Sequence, residues 1–350
     1  MRGGAARRRA RRAKVRVAAA LQHRVAVLLY HRIANPANDD FGLAVSPETF
    51  AEQLAVIEKL AHIVTLEQLV RGLAGGTLPR RAVAITFDDG YADNVLTAAP
   101  ALERRGLTAT FFFATGFVTS GRRFWWDRLA DILLRPEQLP PRLDLVLGEE
   151  RLSARLGPHT GANGGPAEAP QLHSGDPPGS SRHDLFVRLQ AHLRRMTIER
   201  QEALLDELAA WTGVPESDAR DGRPMTAREV SALARMPGMS VGAHSIGHRA
   251  LGDLPPEEQA SEIRDSKVAI EELTGSAAAH FSYPHGVLGE ETAELVEAHG
   301  FEAAFTSGGA AISDGAPLYR LPRIVCEDVG GDLFRRRLRA HLFPLGSLRD

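Results

Sequence analysis

The chain has 350 residues, 43% hydrophobic and 25% charged, the mix of an ordinary globular protein and enough for one large domain or two small ones. Its net charge of −2 leaves no global basic field of the kind that nucleic-acid binding uses, so no nucleic-acid partner is expected. The single cysteine, Cys326, excludes an intramolecular disulfide framework and suits a reducing compartment.

The N-terminus is the strongly biased region. Residues 1–16 carry eight Arg or Lys and no acid, and 1–23 reads as a basic disordered tail. The apolar stretch Val17–Leu21 is shorter than the roughly 7–15 residues of a secretory core, and no run approaches the roughly 20 of a membrane span. A cytoplasmic protein is expected, with weak contact to the inner membrane face through the basic arm as a secondary possibility. Strand patterns then follow at Val25–Tyr30, His62–Leu66, Val83–Phe87, Ala109–Ala114, Met239–Ala243, His280–Tyr283, Ala303–Thr306 and Tyr319–Ile324. Helical patterns alternate with them at Pro47–Leu60, Leu66–Leu73, Asp93–Arg105, Pro256–Leu273 and Glu291–His299. Such alternation means parallel strands with crossover helices, and seven or eight units fit a distorted (β/α) barrel over 24–120 and 226–345.

The alternation breaks over 121–225, which reads as an insertion on one barrel loop. It holds helical pieces at Trp126–Leu134 and His183–Trp211. Between them, residues 157–183 contain six Gly and five Pro in 27 positions, the composition of a flexible, dispensable linker. Phe124-Trp125-Trp126-Asp127 opens the insertion. Its rings can stack on sugars, but packing the inserted helices onto the barrel is the simpler role.

Two motifs carry chemistry. Thr86-Phe87-Asp88-Asp89-Gly90 ends the run Val83–Phe87; adjacent carboxylates there are costly without a cation or a catalytic task. Taken alone, the pair fits a solvated Asp-Gly turn equally well. His244-Ser245-Ile246-Gly247-His248 follows Met239–Ala243, and histidines four apart can share a metal. In a parallel barrel the C-terminal strand ends converge on one face, so Asp89, His244 and His248 can meet there. One carboxylate and two imidazoles leave positions open for water and substrate, as a catalytic metal site requires.

Together with Tyr283-Pro284-His285-Gly286, these motifs resemble the polysaccharide deacetylase family, the carbohydrate esterases with a NodB-like domain. The likeness covers roughly 24–120 and 226–325 and implies a NodB-type barrel. By that resemblance Asp88 is the general base, and Asp89, His244 and His248 bind one divalent ion, Zn²⁺ first, with Co²⁺, Ni²⁺ or Mn²⁺ able to use the same donors. The N–H of His285 is then the oxyanion donor, and its side chain a pocket wall. The family's Arg that orients the base is replaced at its position by Ser282, and Arg323 in Leu-Pro-Arg-Ile is the candidate substitute. The family's late Leu-x-His is absent. Tyr30-His31-Arg32 resembles the poly-N-acetylglucosamine deacetylase branch, where an early His is the acid, so His31 is the candidate here. The remaining nine histidines show no recurring spacing and receive no role.

The implied activity is hydrolytic removal of N-acetyl groups from an N-acetylated glycan or glycolipid. Two alternatives stay open: a related hydrolase of another C–N bond, such as a formamide or cyclic ureide, and a catalytically silent metal- or glycan-binding module. The intact Asp88-Asp89 pair speaks against the silent module, because a binder needs no base.

Overall fold

The computed structural model describes residues 25–148, 150–156, 181–214, 222–313 and 315–343. The expected tail 1–23 and residues 157–180 of the expected linker lie outside them, while 181–183 begin the helix Ser181–Leu193 rather than ending a linker. Ala26-Val-Leu-Leu-Tyr30 is buried at every position, as a strand covered on both faces must be, and forms β1. The later strands are β2 (Arg32–Ile33), β3 (Ala44–Val45), β4 (His62–Ile63), β5 (Ala82–Phe87), β6 (Ala109–Phe113), β7 (Arg142–Leu147), β8 (Glu150–Arg155), β9 (Met239–Ala243), β10 (His280–Ser282), β11 (Ala303–Phe305) and β12 (Ile324–Val325).

The main sheet runs β11-β10-β9-β6-β5-β1-β12, with β4 beside the start of β5, and all its pairings are parallel. A bridge from Phe305 to Leu321 brings β11 against the segment entering β12, so the sheet curls into the distorted barrel expected of the NodB type. Leu28, Tyr30, Ile85 and Phe87 pack outward against Phe50 and Leu54 of helix Pro47–Leu60. Their neighbours Val27, Ala84 and Phe112 join Leu66 and Leu69 of helix Leu66–Gly75 on the opposite face. Because side chains alternate along a strand, Thr86, Asp88, Ser240, His244 and Ser282 line up on the same side as Ala84. Among the described residues no helix is long and apolar enough to cross a membrane.

Several expected elements end differently. Tyr319–Ile324 is a 3₁₀ turn, Leu318–Arg320, with strand only at Ile324–Val325; Pro322 has no N–H to give a ladder. Asp93–Arg105 opens with a π-turn, Asn94–Ala98, before helix Ala99–Glu103, since Pro100 cannot donate back to the preceding turn. His183–Trp211 is two helices, Ser181–Leu193 and Ile198–Thr212, because the Gln201 amide takes the free carbonyls of Leu193 and Met196 at the break. The largely helical insertion also holds the antiparallel hairpin β7–β8, whose Leu143 and Leu145 point inward while Arg142, Asp144 and Val146 face out.

The insertion shares one apolar cluster with the barrel: Trp125, Leu129 and Leu133 of helix Trp125–Leu134 meet Tyr91, Ala114 and Phe117. Gly116 permits the closest approach, since a Cβ there would stand 2.2 Å from Ile198 Cδ1 and 3.0 Å from the Ile246 carbonyl oxygen. Gly116→Val should therefore destabilise the fold by about 1–3 kcal/mol in urea unfolding. Adding Ile198→Ala should recover part of that loss, because the tightest clash is with that side chain; no recovery would mean that Ile246, whose Cγ2 and carbonyl oxygen would stand 2.9 and 3.0 Å away, carries all of it.

Candidate active site

The chemistry of the two motifs depends on unusual backbone. Asp88 extends the β1–β5 ladder, its N–H donating to Tyr30 O at 3.0 Å, and Gly90 N–H then bonds back to Asp88 O at 2.9 Å. This tight three-residue turn forces Asp89 to φ +71°, a rare form, and swings its carboxylate out of the strand alternation. Gly90, at φ +90°, has no alternative, since a Cβ would lie 2.6 Å from the Phe113 ring. Ser245 (φ +60°) and His248 (φ +51°) are also left-handed, each costing about 1–3 kcal/mol unless its surroundings over-determine it. The surroundings do: Thr115 and Gly116 N–H groups bond the carbonyls of Ser245 and Ile246 at 3.1 Å.

Asp89, His244 and His248 bring one donor atom each to within 4.8 Å of one another, all three buried. Asp89 Oδ1 lies 3.5 Å from His244 Nε2 and 3.2 Å from His248 Nε2. His244 Nδ1 faces the Ser282 carbonyl at 2.7 Å, and a carbonyl can only accept, so the proton sits on Nδ1 and the Nε2 lone pair points at the cluster. A hard carboxylate and two imidazoles, one with its tautomer fixed, suit a divalent transition ion. Burial disfavours an ionised Asp89, but the adjacent His244 and His248 imidazoles outweigh it and hold the carboxyl well below its usual range. Burial lowers His248, whereas for His244 the Asp88 and Asp89 carboxylates overcome burial and raise it.

Beside this cluster, Arg323 is fully buried and grips Asp88 in a fork, Nη1 to Oδ1 at 2.7 Å and Nη2 to Oδ2 at 2.6 Å. Nε donates to Thr306 O at 2.9 Å and Nη2 also to Ser282 Oγ at 2.7 Å. Ser282 Oγ in turn donates to Asp88 Oδ2 at 2.9 Å. In the sequence Ser282 marks only the place of a missing Arg; in the fold its hydroxyl and carbonyl serve Asp88 and His244. Its signal was position, the inner face at the end of β10. Desolvation pushes Asp88 up, but Arg323 first and His244 next bring its pKa below the ordinary value.

One cavity of about 250 Å³ opens onto Asp88, Asp89, His244 and His248, with His31, Trp125, Trp126 and His285 also in its wall. His31 follows β1, its carbonyl accepting from Asn94 Nδ2 at 2.7 Å. The exposed His285 ring packs 4.4 Å from the His248 ring, and its φ is +57°. Trp125 and Trp126 are buried, as a packing role requires, yet they border the cavity as well, and Trp126 lies 4.5 Å from the His248 ring.

Removing Arg323 strands a buried carboxylate, so Arg323→Met should cost about 3–5 kcal/mol at neutral pH. In the wild type Asp88 is depressed; its contribution is present above pH 3.8 and lost as pH falls below. In the variant the uncompensated carboxyl is raised instead, and acid relieves the penalty. The stability gap, measured by denaturant unfolding of metal-free protein, should be widest near neutral pH and narrow toward pH 4. A gap independent of pH would show that Arg323 acts through packing rather than charge.

A polysaccharide deacetylase family model matches residues 75–139 and 218–304. YxkH of Bacillus subtilis (strain 168), which is named as a polysaccharide deacetylase, is 33% identical over 98 residues. That alignment takes in 28% of this chain and 35% of YxkH, about a third of the relative's length. Among solved structures, the Streptococcus pyogenes deacetylase PplD in complex with acetate superposes with TM-score 0.58 at 17% identity, covering 92% of this chain and all of PplD. IcaB from Ammonifex degensii gives 0.56 at 18% identity, covering 91% of this chain and 98% of IcaB. These superpositions show a common fold, and the family match shows that residues 75–139 and 218–304 carry a polysaccharide deacetylase domain.

Proposed function

We propose that the chain is a metal-dependent N-deacetylase acting on an N-acetylated sugar residue of a glycan or glycolipid. The observation that carries this reading is the juxtaposition, in one pocket, of the Asp89–His244–His248 donor set with an Asp88 carboxylate locked by Arg323. Asp89, His244 and His248 would hold the ion, which when bound supplies an acidified water and polarises the acetyl carbonyl. Asp88 accepts the proton of the attacking water. Its Arg323 fork keeps it ionised and aimed, so no reorganisation is needed at the moment of reaction. The His285 N–H is assigned to the developing oxyanion, a contribution of about 3–4 kcal/mol for a typical donor. His31, in the same cavity wall, gives a proton to the departing amine. The apolar faces of Trp125 and Trp126 offer packing for a sugar ring and exclude bulk water from the reacting bond.

The decisive assay is acetate release from a panel of N-acetylated glycans and glycolipids, run beside formamides and cyclic ureides. His248→Ala should lose metal and activity and keep its fold; full metal occupancy in that variant would refute the ligand assignment. Asp88→Asn should keep the metal but turn over roughly 10²–10⁴-fold more slowly. His31→Ala should keep substrate affinity and lose kcat on the amide, while an activated acetate ester, whose leaving group needs no proton, should suffer much less. Equal losses on amide and ester would remove His31 from the acid's role.

A further inference from the structure

The segment between the two histidines is held from a direction that none of the motifs announces. Glu262, on helix Pro256–Thr274, accepts the Ile246 and Gly247 N–H groups on a single oxygen, Oε2, at 2.9 and 3.0 Å. These two residues lie between the left-handed Ser245 and His248. Glu262 is itself 7% exposed, so its charge has to be answered inside the protein. Arg249, the residue after His248, answers it: Nη1 lies 3.6 Å from Glu262 Oε1, and Nη2 donates to Glu258 at 2.6 Å. Arg249 Nε reaches the Arg195 carbonyl at 2.9 Å. On the other side Gln201, fully buried on helix Ile198–Thr212, donates to Gly247 O at 3.3 Å. The backbone of the ligand segment is thus taken at its N–H groups by a barrel helix and at its carbonyl by the insertion.

We infer that Glu262 is a positioning residue for the metal site. It fixes the strained 244–248 turn in the one shape that aims both imidazoles at Asp89, with Arg249 neutralising it and Gln201 tying the turn to the insertion. The physical reason is selectivity among backbone states. A turn with two left-handed non-glycine residues has more relaxed alternatives, and an ionised acceptor that takes two adjacent N–H groups favours the shape in which both point the same way. Partners one step behind the ligands typically change metal affinity by 10–100-fold when removed, without touching the ion.

The inference rests on the proposed metal site, and the test separates the two. Zn²⁺ and Co²⁺ are titrated calorimetrically into the metal-free full chain, for the wild type, Glu262→Gln, Glu262→Asp and the control Glu271→Gln. Glu271 sits on the same helix and accepts the Ala278 N–H at 3.0 Å, away from the ligands. Glu262→Gln should bind roughly 10–100-fold more weakly, and the control should match the wild type. Should Glu262→Gln fail to fold, Glu262→Asp keeps the charge beside Arg249 but draws the oxygen back from the two N–H groups, and carries the same expectation. Saturating metal should return most of kcat to either folded variant. Unchanged affinity in the folded Glu262 variants, with a wild type that binds, overturns this inference alone. A wild type that takes up neither ion overturns the metal site and this inference with it.

Discussion

A buried carboxylate cannot stay ionised without a partner, and the Asp88–Arg323 pair is the constraint around which the site is arranged. Both side chains are nearly inaccessible, and all five N–H bonds of the guanidinium are occupied: two by Asp88 and one each by Ser282, Thr86 and Thr306. Such a pair contributes little net stability against well-packed apolar residues, but breaking it is costly. It therefore fixes geometry more than it adds free energy. Arg323 also stands where the segment entering β12 leaves β11 and joins β1, so the seam of the barrel and the orientation of Asp88 depend on the same side chain.

The second constraint is conformational. Asp89, Ser245, His248 and His285 are four of the five left-handed non-glycine residues described, and all four belong to the site. A regular strand end would leave Asp88 and Asp89 on opposite faces. The tight turn at Asp89 breaks that alternation, so that one carboxylate meets Arg323 and the other meets two imidazoles. The strain between the histidines is tolerable because neighbours claim the backbone there: Thr115 and Gly116 take the Ser245 and Ile246 carbonyls, and Glu262 takes the Ile246 and Gly247 N–H groups.

The insertion is more than an appendage to this arrangement. Its Trp126 ring lies against His248 and its indole N–H donates to Tyr91 OH at 2.7 Å, directly after the Asp-Asp-Gly turn. Tyr91 OH passes a hydrogen bond to Asp127 at 3.0 Å; burial pushes that carboxyl up to about 7, against the pull of Arg32 and Tyr91. The insertion thus covers the cavity, packs on a candidate ligand and reaches the ligand segment through Gln201.

How much of this the amino-acid order determines can be seen residue by residue. Short continuous apolar runs alternating with helical stretches of period 3.6 specify a parallel βα barrel, because strands covered on both faces are apolar along their whole length. Asp88, Asp89, His244 and His248 are legible because chemically demanding residues sit at the ends of such runs. Arg323 could be named as a candidate from its place at the end of the last strand pattern, but its pairing with Asp88 followed only from the family resemblance. That pairing joins residues 235 apart in sequence, and only closure of the sheet brings them together. The 3₁₀ turn before Pro322, the break at Gln201 and the left-handed turns are likewise tertiary decisions, since each exchanges a local preference for hydrogen bonds to distant groups. Glu262 shows the limit most clearly. In sequence it is one acid among many on an exposed-looking helix, and its two N–H partners exist only once the helix lies against the strained turn between the histidines.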